Sequence, residues 1–253
     1  DKLNHLKVNN KITLNTVLTR IIIDGIKAAP WVNAHISHSR WLASGHIKIM
    51  DAIDINMPVL LSDKKVITVK LPDAGNKSLA EITSYINQLK NKLAVTNRDI
   101  ALLKAGLEDT AKQIKRGDIF HPLGRILGLK FGKNKLKSIS REAKTQYKNM
   151  PAEQRLGNSD LNMGTVTISN IGASARRLNG APVLIDLISP QIFAVGIGAL
   201  QEKPAVIDEQ IVPRKIVPFC IIFDHRALDF GDVTPLIYQM DSIFKKPAVI
   251  HTW

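Results

Sequence analysis

Cysteine is almost absent from this sequence of 253 residues, in which Cys220 is the only one. A single thiol cannot form a disulfide within the chain, so the fold does not depend on disulfide bonds. Cys220 lies in the apolar stretch 217–223, where we expect a buried, unreactive thiol in a reducing compartment. The sequence also lacks an uninterrupted apolar run of about 18 residues, so no transmembrane helix is expected.

Acidic residues are few relative to basic ones. The chain holds 35 Lys and Arg against 22 Asp and Glu, which gives a formal net charge of +13. Between Lys112 and Lys148, eleven basic residues stand with only Asp118 and Glu142, so this segment alone carries +9. Such an excess indicates an anionic partner, either a nucleic acid, a phospholipid surface or a phosphorylated cofactor. Nucleic acid is not expected, because the segment is poor in aromatic residues and no known nucleic-acid module is present.

Apolar residues make up 45% of the chain and charged residues 23%, as in a globular domain with a sizeable core. Helices are predicted where apolar side chains recur every three or four residues, and strands where short runs alternate or are wholly apolar. Because the two do not alternate regularly, we predict an α+β fold around an antiparallel or mixed sheet. The predicted helices are 14–29, ended by Pro30, 79–93 after the capping box Ser78–Glu81, 97–116, and a last helix capped by Asp232; the predicted strands are 47–55, 66–71, 165–170, 192–198 and 215–223.

Some common site motifs find no support in the sequence. Gly196-Ile197-Gly198 lacks the third glycine and the following helix of a dinucleotide site, so we expect a turn there. There is no GxxxxGK[ST], HExxH or paired CxxC, and the scattered histidines lack metal-ligand spacing. No metal is therefore expected.

The residues best suited to catalysis follow a strongly apolar strand, in the run Asp224-His225-Arg226-Ala227-Leu228-Asp229. An imidazole with a pKa of ~6.5 can accept a proton at neutral pH, and a neighbouring carboxylate can fix its tautomer. A histidine at a strand end is also common as an ordinary polar edge residue, and the residues alone leave both interpretations open.

Ser169 is the second candidate. It lies in the run 164–172, on the strand face opposite Val166 and Ile168. Its hydroxyl is either a donor to a developing oxyanion or simply part of a polar strand face. The sequence alone does not decide between these interpretations.

Four blocks together resemble the catalytic domain of the dihydrolipoamide acyltransferases, the core component of the 2-oxo acid dehydrogenase complexes. They stand in the family's order and span nearly the whole chain, so they are more specific than any one motif. The blocks are 12–34, which ends in Pro-Trp-Val-Asn-Ala, 58–82 with Lys-Ser-Leu-Ala-Glu-Ile at its end, 164–172 and 224–229, and the run 189–198 is also similar to the family.

The resemblance implies a chloramphenicol-acetyltransferase-like fold, a mixed sheet flanked by helices, in a homotrimer with active sites between subunits. It implies that His225 is the base that deprotonates the thiol of coenzyme A or dihydrolipoamide. Ser169 would then stabilise the tetrahedral oxyanion, and Asp229 would order the site. Such a base is needed because a free thiol has a pKa of ~8.5.

Cofactors and partners also follow from the resemblance. Coenzyme A or acyl-coenzyme A would be a substrate, and a lipoyl group would come in trans or from an upstream domain. The partners would be other subunits of a 2-oxo acid dehydrogenase complex, in a bacterial cytoplasm or mitochondrial matrix.

The chain departs from the family pattern at three places. Phe230 separates Asp229 from Gly231, where the family has Asp-Gly. The family domain begins upstream of Asp1, so we expect residues 1–253 to be a catalytic domain without its N-terminal part. The stretch between Ser78 and Thr165 is longer than in the family, and we expect residues 97–160 to be a basic helical insertion.

Two functions from different classes remain. The first is an acyltransferase with His225 as base and Ser169 as oxyanion donor. The second, favoured by the displaced Gly231, is a non-catalytic scaffold of the same fold that serves oligomerisation or binds coenzyme A or a partner. For the basic segment Lys112–Lys148 we expect either an anionic membrane surface as ligand or a solvated decoration packed onto the host domain.

Overall fold

A computed structural model describes residues 12–39, 44–115, 139–181 and 186–253 of the chain. The described residues divide into two compact units, those within 1–86 and 163–253 and those within 87–162. The second unit includes the segment 97–160; that this segment is an insertion relative to the family stays a prediction. Among the described residues, no helix is both long enough and apolar enough to cross a lipid bilayer.

The elements follow the sequence patterns for the most part. Short 3-10 turns lie at Pro30–Val32, Ala74–Asn76, Ala152–Gln154 and Pro247–Thr252. The helices are α1 (Leu14–Ala28), α2 (Leu79–Val95), α3 (Arg98–Lys115), α4 (Arg141–Asn149), α5 (Asn158–Leu161), α6 (Ile171–Ser174) and α7 (Phe230–Lys245); the strands are β1 (Ala34–Ser39), β2 (Ser44–Ile49), β3 (Ile55–Leu60), β4 (Val66–Leu71), β5 (Val166–Asn170), β6 (Phe193–Ile197), β7 (Gln201–Ile207), β8 (Gln210–Ile216) and β9 (Phe219–Phe223).

Within the described residues, five strands of the first unit form a mixed sheet in the order β4-β3-β5-β6-β9. The β3/β5 and β5/β6 pairs are parallel, and the β3/β4 and β6/β9 pairs are antiparallel. Separate hairpins are formed by β1 with β2 and by β7 with β8. The predicted α+β class with a mixed sheet flanked by helices is confirmed.

Helices α1 and α7 supply much of the helical part of the core. Ile22 and Ile23 are both completely buried, so α1 is covered on more than one side. At Gly25 a Cβ atom would lie 3.0 Å from the Cγ of Leu236, which shows how closely α1 approaches α7. The predicted end of α1 before Pro30 is confirmed, and Thr13 caps its start by accepting a bond of 3.2 Å from the amide of Thr16.

The described part of the second unit, 87–115 and 139–162, is mainly helical and holds a buried tyrosine, Tyr147 of α4. The Tyr147 hydroxyl donates to the carbonyl of Leu156 over 2.5 Å, and the Arg155 guanidinium lies over its ring at 4.7 Å. The Lys104 Nζ, on α3, lies 4.8 Å from the centroid of the same ring. These contacts join α3 and α4 within the unit.

Several sequence expectations about strands were wrong. The predicted strand 47–55 is two strands, because the chain turns after β2 and resumes as β3 in a different sheet. All of β2 is exposed, so its alternating isoleucines do not mark a half-buried strand. The predicted strand 215–223 is likewise divided, because Val217 and Pro218 separate β8 from β9. The strand β9 is half-buried at the sheet edge instead of covered on both faces.

Single residues also needed correction. Gly196 and Ile197 belong to β6 and do not form a turn, because the sheet register continues through them. Asp229, not Asp232, is the N-cap of α7. Cys220 is only partly buried, since β9 lies at the edge of the sheet.

The predicted apolar face of the helix at 97–116 also needs correction. Its first half is buried at Ile100, but Leu107 and Ile114, further along α3, are exposed. Of the basic segment Lys112–Lys148, residues 116–138 lie outside the described residues.

Candidate active site

The run from Asp224 to Asp229 begins where β9 ends. Phe223 is the last residue of β9 and pairs with Phe193 of β6. The Asp224 amide then donates to the carbonyl of Ile192 over 2.9 Å. The Asp224 carbonyl accepts hydrogen bonds from the amides of Ala227 over 2.9 Å and Leu228 over 3.0 Å, which closes a tight turn. The turn carries His225 beyond the end of the sheet.

His225 contacts two of the residues beside it in the chain. Its ring lies against the ring of Phe223 with the centroids 4.6 Å apart. Its Nδ1 is 3.9 Å from Oδ1 of Asp229, which is too long for a hydrogen bond. The two side chains are 73% and 94% exposed. The structure thus places His225 and Asp229 close together at a solvent-exposed position.

The other flanking carboxylate, Asp224, has a different partner. Its oxygens accept from the Arg226 guanidinium over 3.0 Å and 2.6 Å, and from the Arg226 amide over 3.0 Å. These hydrogen bonds from Arg226 hold the pKa of the Asp224 carboxyl below its usual range. Asp224 is therefore ionised at neutral pH and committed to Arg226, which leaves Asp229 as the carboxylate beside His225.

A cleft of about 340 Å³ opens beside His225. Gln191 lines it and is a residue that the sequence analysis missed. Its side chain is buried, accepts from the Thr167 hydroxyl over 2.6 Å and donates to the Gly164 carbonyl over 2.9 Å. His35 donates to the same carbonyl over 3.1 Å. The sequence signal for this residue was a glutamine at the start of the apolar run 191–197, because a buried side-chain amide needs polar partners nearby.

Ser169 lies at the other end of the sheet. It stands opposite Gly196 on β6, half-buried, whereas Asp224 stands level with Ile192. Along the strand direction, His225 is therefore about five residues from Ser169, which corresponds to roughly 15 Å. Across the sheet the two residues are two strands apart, which corresponds to roughly 10 Å. Within one chain the structure does not bring Ser169 and His225 together.

A second cleft, of about 620 Å³, lies near the Ser169 end of the sheet. Its lining includes Asn170, which directly follows Ser169, and the cationic Arg176. Gly172 also lines it, and a Cβ atom there would come within 2.2 Å of the Gly198 carbonyl oxygen. Glycine is thus required where the chain leaves β5. Among the described residues, no group of three or more His, Cys, Asp or Glu is placed to hold a metal.

Comparison with known proteins relates one long segment of the chain to a described family. Residues 130–251 match the model of the family described as 2-oxoacid dehydrogenases acyltransferase (catalytic domain), and this segment holds both Ser169 and His225. The matched segment, just under half of the chain, is similar to the catalytic domain of that family. The resemblance inferred from the sequence blocks is confirmed, and the family's catalytic domain accounts for the β5–α7 half of the chain.

Individual relatives agree with the family match. The lipoamide acyltransferase component of the branched-chain alpha-keto acid dehydrogenase complex of Pseudomonas putida is 31% identical over 112 residues. That stretch covers 44% of this chain and 24% of the relative, so the chain spans about a quarter of the length of that curated relative.

Solved structures show the same fold. A probable dihydrolipoamide acetyltransferase from Listeria monocytogenes aligns with a TM-score of 0.57 at 16% identity, over 93% of this chain and 71% of that one. The cubic core of the pyruvate dehydrogenase multienzyme complex aligns with a TM-score of 0.59 at 14% identity, over 98% of this chain and 75% of that one. The fold of the described residues is that of the acyltransferase cores.

Proposed function

We propose that this chain is an acyltransferase domain that moves an acyl group between coenzyme A and a dihydrolipoamide-type thiol. The observation that carries the proposal is the family match over 130–251, which includes Ser169 and the His225 turn in one segment. His225 accepts the proton of the attacking thiol, and the thiolate sulfur bonds to the thioester carbonyl carbon. The old C–S bond then breaks, and His225 returns the proton to the departing sulfur.

Ser169 donates a hydrogen bond to the oxygen of the tetrahedral intermediate in this proposal. Asp229 acts as a positioning residue, because its carboxylate lies 3.9 Å from Nδ1 of His225 and can orient the ring after a small adjustment. Coenzyme A is a substrate, and the lipoyl group arrives in trans or from an upstream domain.

The separation of Ser169 from His225 makes a second copy of the chain part of the proposal. Two groups roughly 15 Å apart along the strands cannot both contact one thioester carbonyl. A closed homotrimer brings the His225 end of one copy to the Ser169 end of the next, and it also covers the exposed imidazole. We propose this assembly within a 2-oxo acid dehydrogenase complex, in a bacterial cytoplasm or mitochondrial matrix.

The test is acyl transfer from acetyl-, isobutyryl- and succinyl-coenzyme A to dihydrolipoamide. His225→Ala should lower kcat by about 10²–10⁴-fold, the usual effect of removing a positioned base. Ser169→Ala should lower kcat by about 10²–10³-fold, as expected for one lost oxyanion donor. His251→Ala is the matched control, because His251 is an exposed histidine outside the cleft, and it should leave kcat unchanged.

A non-catalytic scaffold of the same fold is the second candidate, and one observation favours it. Phe230 displaces Gly231 from its place in the family pattern and is 64% exposed. The neighbouring Asp229 carboxylate does not come within hydrogen-bond distance of the His225 ring. The scaffold is supported if the assembled parent protein transfers none of the three acyl groups but still binds coenzyme A or a partner. It is rejected if transfer depends on His225 as described.

A further inference from the structure

In the unit 87–162, α3 carries an exposed apolar stripe that begins at a lysine. Lys104, Leu107, Ala111 and Ile114 follow one another at spacings of three, four and three residues, which places them on one side of the helix. Leu107 and Ile114 keep 51% and 48% of their surface exposed, and Ala111 is exposed as well. This side of α3 therefore ends in apolar side chains that face solvent.

A row of cations lies on the neighbouring helix α4. Arg141, Lys144 and Lys148 recur at spacings of three and four residues, and all of them are exposed. The Lys104 Nζ lies 4.8 Å from the centroid of the Tyr147 ring, so the stripe begins beside α4. The stripe and the cation row lie on two helices that contact each other at this point, and we call them together the α3–α4 face.

We propose that the α3–α4 face binds the surface of an anionic lipid bilayer. Apolar side chains flanked by a row of Lys and Arg are the composition of helices that lie in a membrane interface. Among the described side chains of α3 and α4, four exposed cations outnumber the two exposed acids, Glu108 and Glu142. This proposal concerns a surface that the transfer chemistry does not use, and it stands whether or not the chain is catalytic.

A nucleic acid fits the same face less well. Phosphates bind cations, but a nucleic acid gains nothing from exposed Leu107 and Ile114. Proteins that bind single strands offer aromatic stacking platforms, whereas the aromatic side chain at this face, Tyr147, is buried under Lys104 and Arg155. The apolar stripe is the feature that favours a lipid bilayer over a nucleic acid as the ligand of this face.

The test is co-sedimentation of the full chain with vesicles of phosphatidylcholine alone or with about 30% phosphatidylglycerol, at about 50 and 500 mM salt. We expect binding to the anionic vesicles at low salt and little binding to the neutral ones. Each cation near an anionic leaflet contributes about fivefold to binding, so the triple variant Arg141→Glu, Lys144→Glu, Lys148→Glu should bind at least on the order of a hundredfold more weakly. The double variant Leu107→Ser, Ile114→Ser should also bind more weakly.

The controls separate this face from general charge and from misfolding. The triple variant Lys203→Glu, Arg214→Glu, Lys215→Glu makes the same charge change on the exposed β7–β8 hairpin and should retain most of the binding. The glutamine version of the α4 triple keeps helix propensity and should lose binding while the helical circular-dichroism signal stays unchanged.

Other results would overturn the proposal. These are equal binding to neutral vesicles, no binding to anionic vesicles at low salt, an equal loss in the hairpin control, or binding to duplex DNA by a chain that leaves anionic vesicles unbound.

Discussion

At the scale of single residues, close backbone approaches around β5 fix where the candidate residues lie. At Gly164 a Cβ atom would come 2.5 Å from the Asp54 carbonyl oxygen and 2.9 Å from Asn56 Oδ1. The Gly164 amide also donates to Asn56 Oδ1 over 2.9 Å. These contacts seat the start of β5 beside β3, so they help to set the register that places Ser169 opposite Gly196.

Gly164→Ala should lower the free energy of unfolding by about 1–3 kcal/mol, because the added methyl group overlaps backbone atoms that cannot move independently. Urea denaturation followed by circular dichroism measures this. Gly106→Ala is the matched control: nothing lies within 4 Å of its Cβ position in α3, so alanine should stabilise the helix by about 0.5–1 kcal/mol. Equal effects of the two changes would contradict the packing described at Gly164.

The Asp224–Arg226 pair gives a pH-dependent prediction. The folded-state pKa of Asp224 is lowered from the ordinary value of 3.8 by the hydrogen bonds from Arg226. Its stabilising contribution is therefore present above pH ~3.8 and is lost as the pH falls and the carboxyl is protonated. Asp224→Asn should cost about 1 kcal/mol at pH 7, a modest value because the Arg226 side chain is exposed.

The measurement is the difference in unfolding free energy between parent and Asp224→Asn, followed from pH 7 to pH 3. We expect this difference to shrink as the pH falls. A difference that stays constant over that range would show that the carboxylate charge does not contribute, and that the turn before His225 is fixed by its backbone bonds alone.

At the scale of elements, periodicity predicted the helices well and the strand ends less well. The capping box predicted at Ser78 is present, with the Ser78 amide donating to Glu81 over 2.7 Å. The break between β8 and β9 was missed because the chain is apolar on both sides of it, although Pro218, which has no amide proton for a sheet ladder, was a signal for it. A local pattern shows which residues are apolar but not which sheet they join.

The start of α7 provides an element-scale prediction. The Asp232 carboxylate accepts from the Asp229 amide over 2.8 Å, which fixes the first turn of α7 and the residue beside His225. Asp232→Ala should destabilise the protein by about 1 kcal/mol. Asp241→Ala, on the same helix, removes only an exposed pair with Lys245 and should cost about 0.5 kcal/mol or less.

Thermal unfolding of the two variants against the parent measures this difference. If Asp241→Ala were the more destabilising change, the capping bond would not be the interaction that holds the start of α7.

At the scale of the whole molecule, the sequence resemblance identified the fold and named His225, Asp229 and Ser169, but it did not show how they are placed. His225 and Asp229 are four residues apart in one turn, so their proximity follows from local geometry. Ser169 and His225 come from β5 and from the end of β9, and the register with β6 places them at opposite ends of the sheet. Only the sheet topology shows that one chain does not bring them together.

The most direct measurement is complementation between two inactive variants. His225→Ala and Ser169→Ala chains are mixed in equal amounts, unfolded and refolded together, and their exchange into common oligomers is verified by native mass spectrometry. If each site uses His225 of one copy and Ser169 of the next, random assembly restores about a quarter of the parent sites, and acyl transfer recovers to about that level. Activity that stays at the level of the separate variants, although the chains have exchanged, would contradict a site formed between copies.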